Sequence, residues 1–419
     1  MRSNYFNLEL SACAAHAGSQ FLLVRKATHI SDMKNVYVLS AAMTKFGKSP
    51  LSGRELALEA SKKAIIRAGI SPKDIEAGFV ANAFSLTEKQ GHLGPILMSG
   101  LGIPDTPAST IESACASGGS AVREAWVNIG AGLYDCMLVV GVEKVSQLDT
   151  ITATTYFSFG SDYVFEGSCG ASFPGLYGAI ARAHMTKYGT TEEQFANVAV
   201  KNHENALSNP NAHLHKKITV DDVMRSPVVA SPLKLFDACP FSDGAAATIL
   251  CSEDFLKKIG RTPSEEIVIR GSGRAGGTGA LHQREELTSL NAAVLAGREA
   301  FKRADLGAKD IDFAEVHDCF TVAEFVAEED LGLVPRGEAA KLTQEGYTTI
   351  KGELPVNPSG GLKAKGHPVG ATGVGQVVEV YEQLHGEAGG RQVGDARIAL
   401  THNVGATGGS CAVHIFEIP

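Results

Sequence analysis

Four short segments of this 419-residue chain place reactive or hydrogen-bonding groups among glycines and other small residues. The first is Glu112-Ser-Ala-Cys115-Ala-Ser-Gly-Gly, read as the start of a Gly-rich helix. A thiol there feels the positive end of the helix dipole and free backbone N–H groups, which lower its pKa. A cysteine taken alone is more often a small buried apolar residue. Here the small flanking residues leave room for an acyl group, so Cys115 is read as a nucleophile. Gly366-His367-Pro368 is the second segment. A proline in the first helical turn fixes φ and gives up no needed donor, so the imidazole of His367 stands outward from a rigid cap. The third, His317-Asp318-Cys319-Phe320, carries an imidazole and a thiol at the end of a strand. The fourth, Asn403-Val-Gly405-Ala-Thr-Gly408-Gly409-Ser410, directly follows a strand and offers backbone N–H groups to an oxyanion.

Two other chemistries are weighed and set aside. A His/Cys metal site at 317 and 319 needs further ligands at short spacing, and the other cluster, His213-x-His215, sits in a polar loop. No metal is expected. Gly271-Ser-Gly-Arg-Ala-Gly276 matches a dinucleotide fingerprint, but that fingerprint requires a helix to begin at the turn. The chain instead continues through Gly277 and Gly279, which argues against a nicotinamide site.

The elements that must position these groups come from a duplication. Residues 60–85 align without a gap over residues 296–321, with nine of 26 positions identical, among them Lys73-Asp74-Ile75, Val80 and Phe84. Each copy reads as an amphipathic helix, a turn and a strand. Downstream, Cys115-Ala-Ser-Gly118 aligns with His367-Pro-Val-Gly370, each opening a Gly-rich helix, about 118–131 and 370–384. The strands 136–142 and 397–401 follow. A duplicated fold brings Cys115 and His367 together near its pseudo-twofold axis. At the third segment the copies differ, because Ala81-Asn82-Ala83-Phe84 stands where the other copy has His317-Asp-Cys-Phe. An asymmetry of this kind inside a repeat points to function.

Two βα halves imply an α/β protein, and helices this poor in side chains are expected to be buried between layers. The predicted architecture is a duplicated layered sandwich with an inserted loop subdomain. Its parts are an N-terminal extension (1–35), a first half (36–155, completed by 240–255), the insertion (156–239) and a second half (256–419). Within the insertion, a capped helix is expected to start at Thr191, with Gln194 three residues on.

Composition narrows the class further. There are 38 Lys and Arg against 46 Asp and Glu, a formal charge of −8, which argues against a nucleic-acid surface. The longest apolar run, Cys136–Val142, is far shorter than the roughly 20 residues of a membrane span. Eight cysteines without a C-x-x-C pair are neither a disulfide scaffold nor a zinc ribbon, so a reducing intracellular compartment is expected. Residues 1–30 hold one acid, Glu9, beside Arg2, Arg25 and Lys26. That pattern reads as a mitochondrial transit peptide or as an ordinary cytoplasmic extension. The C-terminal Glu417-Ile418-Pro419 is not a peroxisomal signal.

With these motifs assembled, the chain resembles the thiolase superfamily, and within it the sterol-carrier-protein type, from about residue 36 to the end. Cys115-Ala-Ser matches the nucleophile motif, and Gly366-His367-Pro368 another. His317-Asp-Cys319-Phe matches the motif that separates this type from ordinary thiolases, which carry Asn-Glu-Ala-Phe there. Common thiolases place a second cysteine where this chain has Asn403; in the sterol-carrier type Cys319 takes that role. No appended lipid-transfer domain is expected after Pro419.

The resemblance implies the αβαβα thiolase fold and an acyltransferase of lipid metabolism that works on acyl-CoA substrates. No permanently bound cofactor is implied; coenzyme A and acetyl-CoA are substrates. His367 would activate Cys115 to attack a 3-ketoacyl-CoA, and coenzyme A would then take the acyl group. Cys319 would be the base that forms the acetyl-CoA enolate in condensation. The thioester oxygen would sit between the N–H groups of Cys115 and Gly405, and the enolate oxygen would be held by His367 with His317 assisting. Coenzyme A would lie along the insertion, with Cys239 near the pantetheine and His184, Lys187, Arg225 and Lys234 as candidates for its phosphates. A homodimer is implied by the family. A ketosynthase-like condensing enzyme, and a catalytically weak acyl-CoA- or lipid-binding protein of the same fold, stay open at this point.

Overall fold

The two copies of the repeat fold alike. In the first, helix Gly53–Ala68, a short 3₁₀ turn Pro72–Asp74 and strand Ala77–Ala81 follow one another. In the second, helix Asn291–Ala304, turn Ala308–Asp310 and strand Phe313–Glu315 do the same. A Ser52/Glu55 capping box starts the first helix, and the left-handed Gly69 ends it. The computed structural model describes residues 33–419, so the expectations for the N-terminal extension lie outside the described residues.

Eleven strands occur among the described residues: β1 (Val36–Met43), β2 (Ala77–Ala81), β3 (Ala108–Ile111), β4 (Cys136–Glu143), β5 (Val228–Ala230), β6 (Leu233–Lys234), β7 (Gly244–Ser252), β8 (Ile267–Gly276), β9 (Phe313–Glu315), β10 (Ile398–Gly405) and β11 (Ser410–Glu417). Nine form one ladder in the order β3-β2-β4-β7-β1-β8-β11-β10-β9, while β5 and β6 make a separate hairpin. The ladder is two half-sheets joined at β1 and β8, which share only the pairs Tyr37↔Val268 and Val38↔Ile267. Outward from that joint, β1-β7-β4-β2 and β8-β11-β10-β9 repeat one pattern, antiparallel, antiparallel, then parallel.

Two central helices, Ser117–Gly130 and Thr372–Leu384, pack between the half-sheets, and the repeat helices cover the outer faces. This is the layered αβαβα thiolase fold. The small residues at the central helix starts have a steric cause: a Cβ on Gly118 would lie 2.8 Å from the Gly373 nitrogen. Backbones this close exclude side chains.

One local expectation changes. The second central α-helix begins at Thr372 and not at 370, behind a 3₁₀ turn Val369–Ala371 that Pro368 precedes. Pro368 therefore caps a tighter turn instead of sitting inside the α-helix. The Gly271–Gly276 motif lies within β8, where an extended backbone makes no phosphate-cradling turn. In the insertion, the Thr191/Gln194 capping box starts helix Glu192–Ala206. The insertion's apolar residues Leu176, Tyr177, Ile180, Phe195 and Val198 belong to the same core as Val316, Phe320 and Phe325 of the second half.

Candidate active site

Cys115 stands in the turn between β3 and the first central helix. The turn is tight. Ala114 has φ +49°, a left-handed conformation that costs a non-glycine residue energy. The Ser117 hydroxyl donates to the Ala114 carbonyl at 2.6 Å and accepts the Ser113 N–H at 2.8 Å, which fixes it. The sulfur meets one ring nitrogen from each of His317 and His367, all three atoms lying within 4.8 Å of one another. The two imidazoles are edge to face, with centroids 5.1 Å apart.

Hydrogen bonding assigns each imidazole a tautomer. The single proton of the Thr372 hydroxyl goes to the Pro368 carbonyl at 3.0 Å. Its oxygen must therefore accept from His367 Nδ1–H, at 2.6 Å, which leaves the lone pair on Nε2. For His317 the deciding group is Asn403. Its Oδ1 accepts the Gly119 N–H at 2.9 Å, and its Nδ2 donates to the Cys115 carbonyl at 2.8 Å. Both partners are backbone groups of fixed polarity, so the amide can face only one way. The same Nδ2 lies 3.2 Å from His317 Nδ1, which must accept. The proton of His317 is thus on Nε2, a buried atom with no partner among the described residues. One imidazole is a base; the other is a donor awaiting an oxygen.

Electrostatics qualify the expectation for the nucleophile. Burial pushes the Cys115 thiol up to about 12, with the Glu143 and Glu112 carboxylates adding to it. The N–H groups of Ala406 and of Cys115 itself pull the other way. Burial outweighs the helix terminus, so the resting group is a thiol and not the lowered-pKa thiolate expected from position alone. Burial also lowers His367 to about 3 and His317 well below its ordinary value. Both imidazoles are neutral at rest, so the free lone pair of His367 can accept a proton from the thiol.

Gly405 ends β10 against the Cys115 turn, where an added Cβ would lie 2.5 Å from the Ser113 carbonyl. The N–H that bonds the Cys115 sulfur belongs to the next residue, Ala406, whose φ of +54° turns it inward. Cys319 is buried, and its carbonyl accepts the Cys239 N–H at 3.0 Å. Burial first, then the neighbouring Cys239, raises its thiol well above the ordinary range. Tyr177 stacks on Phe320 with centroids 4.7 Å apart and donates to the Ala406 carbonyl at 3.0 Å.

Two of the charged residues assigned to coenzyme A need correction. His184 is fully buried, holding Thr190 at 2.8 Å and facing Glu329 at 3.6 Å. Lys234 is buried against Glu192. Neither presents itself to a phosphate. Arg225 is exposed and paired with Asp221 at 2.9 Å, and Lys187 pairs with Glu286. His213 and His215 bind separate partners, Ser242 and the Asn209 carbonyl.

The sequence reading missed Thr372, Tyr177 and Glu143. Glu143 is buried, accepts N–H bonds from Ala83, Phe84 and Gly370 and one from Asn82 Nδ2, and is raised to about 7 by burial. An acid that directly ends the apolar run Cys136–Val142 was the available signal.

Comparison with known proteins decides the family. The thiolase N-terminal domain matches residues 36–254, and the thiolase C-terminal domain-like family matches residues 273–418. The chain belongs to the thiolase family. As a thiolase it is an acyltransferase. It is 46% identical to an acetyl-CoA acetyltransferase of Methanothermobacter thermautotrophicus, covering 92% of this chain and 100% of that one. It is 34% identical to sterol carrier protein 2 of Gallus gallus, covering 92% of this chain and 72% of the other. Among solved structures, the Ltp2-ChsH2(DUF35) aldolase superposes with a TM-score of 0.78 at 24% identity, over 91% of this chain and 97% of that one.

Proposed function

We propose that this thiolase cleaves 3-ketoacyl-CoA with coenzyme A, and runs the reverse Claisen condensation of acetyl-CoA, through an acyl-Cys115 intermediate. The observation that carries this reading is the convergence of the Cys115 sulfur with a basic and a donating imidazole within 4.8 Å. In cleavage, the Cys115 proton passes to His367 Nε2 while the sulfur attacks the 3-keto carbon. The Cα–Cβ bond breaks, His317 Nε2–H holds the enolate oxygen, and Cys319 protonates the α-carbon to release acetyl-CoA. The coenzyme A thiol then gives its proton to the Cys319 thiolate and attacks the acyl carbon, the Cys115–acyl bond breaks, and Cys115 recovers its proton from His367. The His317-Asp-Cys-Phe motif supports the sterol-carrier-type assignment of the base to Cys319, and the name of the archaeal relative supports acetyl-CoA as substrate.

The test is thiolysis of acetoacetyl-CoA by coenzyme A. Cys115→Ala is expected to lose about 10⁴-fold or more, as removal of a nucleophile does. Cys319→Ala is expected to keep acetylation of Cys115 by acetyl-CoA and to lose condensation. Binding of the CoA ester by the wild type with no turnover would overturn the enzyme reading. The two imidazoles around one cysteine also favour a second reading, a ketosynthase-like condensing enzyme, in which Cys319 is dispensable. Condensation that survives in Cys319→Ala selects it.

A further inference from the structure

Cys239 has no role in the chemistry above, yet it is held against the thiol that does. Ala238 pairs with Phe320 in an isolated antiparallel bridge, and the Cys239 N–H donates to the Cys319 carbonyl at 3.0 Å. In that register Cys239 and Cys319 stand directly opposite each other. Directly opposite residues of antiparallel segments project to the same face, with Cα atoms about 4.5–5.5 Å apart. A disulfide spans roughly 4.4–6.8 Å between Cα atoms. Both thiols are free. Cys319 is buried, whereas Cys239 keeps partial exposure and lies beside the buried Lys363, whose ammonium favours its thiolate.

From this register we propose that Cys239 and Cys319 form an oxidisable dithiol, closed by peroxide, that withdraws Cys319 from the reaction while leaving the Cys115 thiol free. The consequence for condensation rests on the reading of Cys319 as the α-proton base; the dithiol itself does not. The Cys239 sulfur attacks one peroxide oxygen, the O–O bond breaks, and the departing hydroxide takes the Cys239 proton to become water. Cys319 then attacks the resulting sulfenic sulfur, the S–O bond breaks, and the hydroxyl leaves as a second water with the Cys319 proton. Two thiols and one hydrogen peroxide thus give one disulfide and two waters. Cys239 reacts first because it is the more exposed thiol and has the cation beside it. Burial holds its thiol up at about 12, so closure is slow and speeds up as pH rises.

The experiment treats the wild-type enzyme with hydrogen peroxide and maps its peptides by mass spectrometry without reduction. A peptide pair joined through residues 239 and 319, lighter by two hydrogens, is expected, together with intact acetylation of Cys115 by acetyl-CoA. Condensation is expected to fall at least tenfold and to return with dithiothreitol. Cys239→Ser, compared with its own untreated activity, is expected to lose the dithiothreitol-reversible part of the inactivation. A link that joins Cys115 to either thiol, or oxidation of Cys115 with residues 239 and 319 left unlinked, overturns the proposal. If the 239–319 link forms and condensation is unchanged, the dithiol stands and the assignment of Cys319 as the base falls.

Discussion

The ends of β2 and β9 occupy equivalent places in the two halves and carry different loads. After β2, Asn82, Ala83 and Phe84 turn their donors onto the carboxylate of Glu143, which also accepts the Gly370 N–H from the opposite half. After β9, His317 meets the Cys115 sulfur, and the tying group is an amide, Asn403, which reaches Gly119 and Cys115 of the first half. Each half therefore fixes the helix start of the other. The carboxylate is spent on three backbone N–H groups and the Asn82 amide. The amide does the same work with one side and sets the His317 tautomer with the other. One frame was duplicated, and only one copy was given chemistry.

The sharpest way to break this contrast is Asn403→Asp. The carboxylate still accepts from Gly119 but donates neither to the Cys115 carbonyl nor to His317 Nδ1. His317 then carries its proton on Nδ1 and loses its oxyanion donor, so kcat for thiolysis should fall about 10²–10³-fold with KM changing far less. Steady-state kinetics check this, and ¹⁵N NMR of the imidazole reports the tautomer directly. Thr372→Val comes next. It removes the acceptor of His367 Nδ1–H and leaves a buried donor unpaired, at about 1–3 kcal/mol, or roughly 10–100-fold in kcat.

Glu143→Gln tests the unreactive strand end and should have the smallest kcat effect. One amide oxygen replaces two carboxylate oxygens for three backbone N–H groups, so a loss of about 1–3 kcal/mol in stability is expected by urea unfolding. The pH dependence sharpens the test. Burial raises Glu143 from 4.5 to about 7, so across that window the folded state holds more protons than the unfolded chain. Its contribution is complete below pH 4.5, falls as pH rises to 7, and is flat beyond. The variant should lose that part of the slope.

The duplication was legible because Lys73-Asp74-Ile75 and Lys309-Asp310-Ile311 keep both type and spacing, and alternate halves must fold alike. Cys115, His317, Cys319 and His367 were legible because each stands at a repeat-equivalent strand or helix end. What motifs do not carry is burial. The position of Cys115 before a helix argued for a lowered pKa, and the protein around the sulfur reverses the sign. His184 and Lys234 read as candidates for the coenzyme A phosphates because nothing local says that Glu329 and Glu192 cover them. Glu143 was missed as a site residue because its partners Ala83, Phe84 and Gly370 approach it only in three dimensions.

The ties across the halves also bear on how the enzyme comes to be active. The bonds that hold the site join residues 288, 284 and 227 positions apart in sequence. Contacts of such separation form after local ones, since the loop entropy must be overcome first. Each half can raise its helices and strands without bringing the Cys115 sulfur to the two imidazoles. Acyl transfer is therefore a readout of the last folding event, the docking of the halves, and should appear on refolding only after the helical signal has returned.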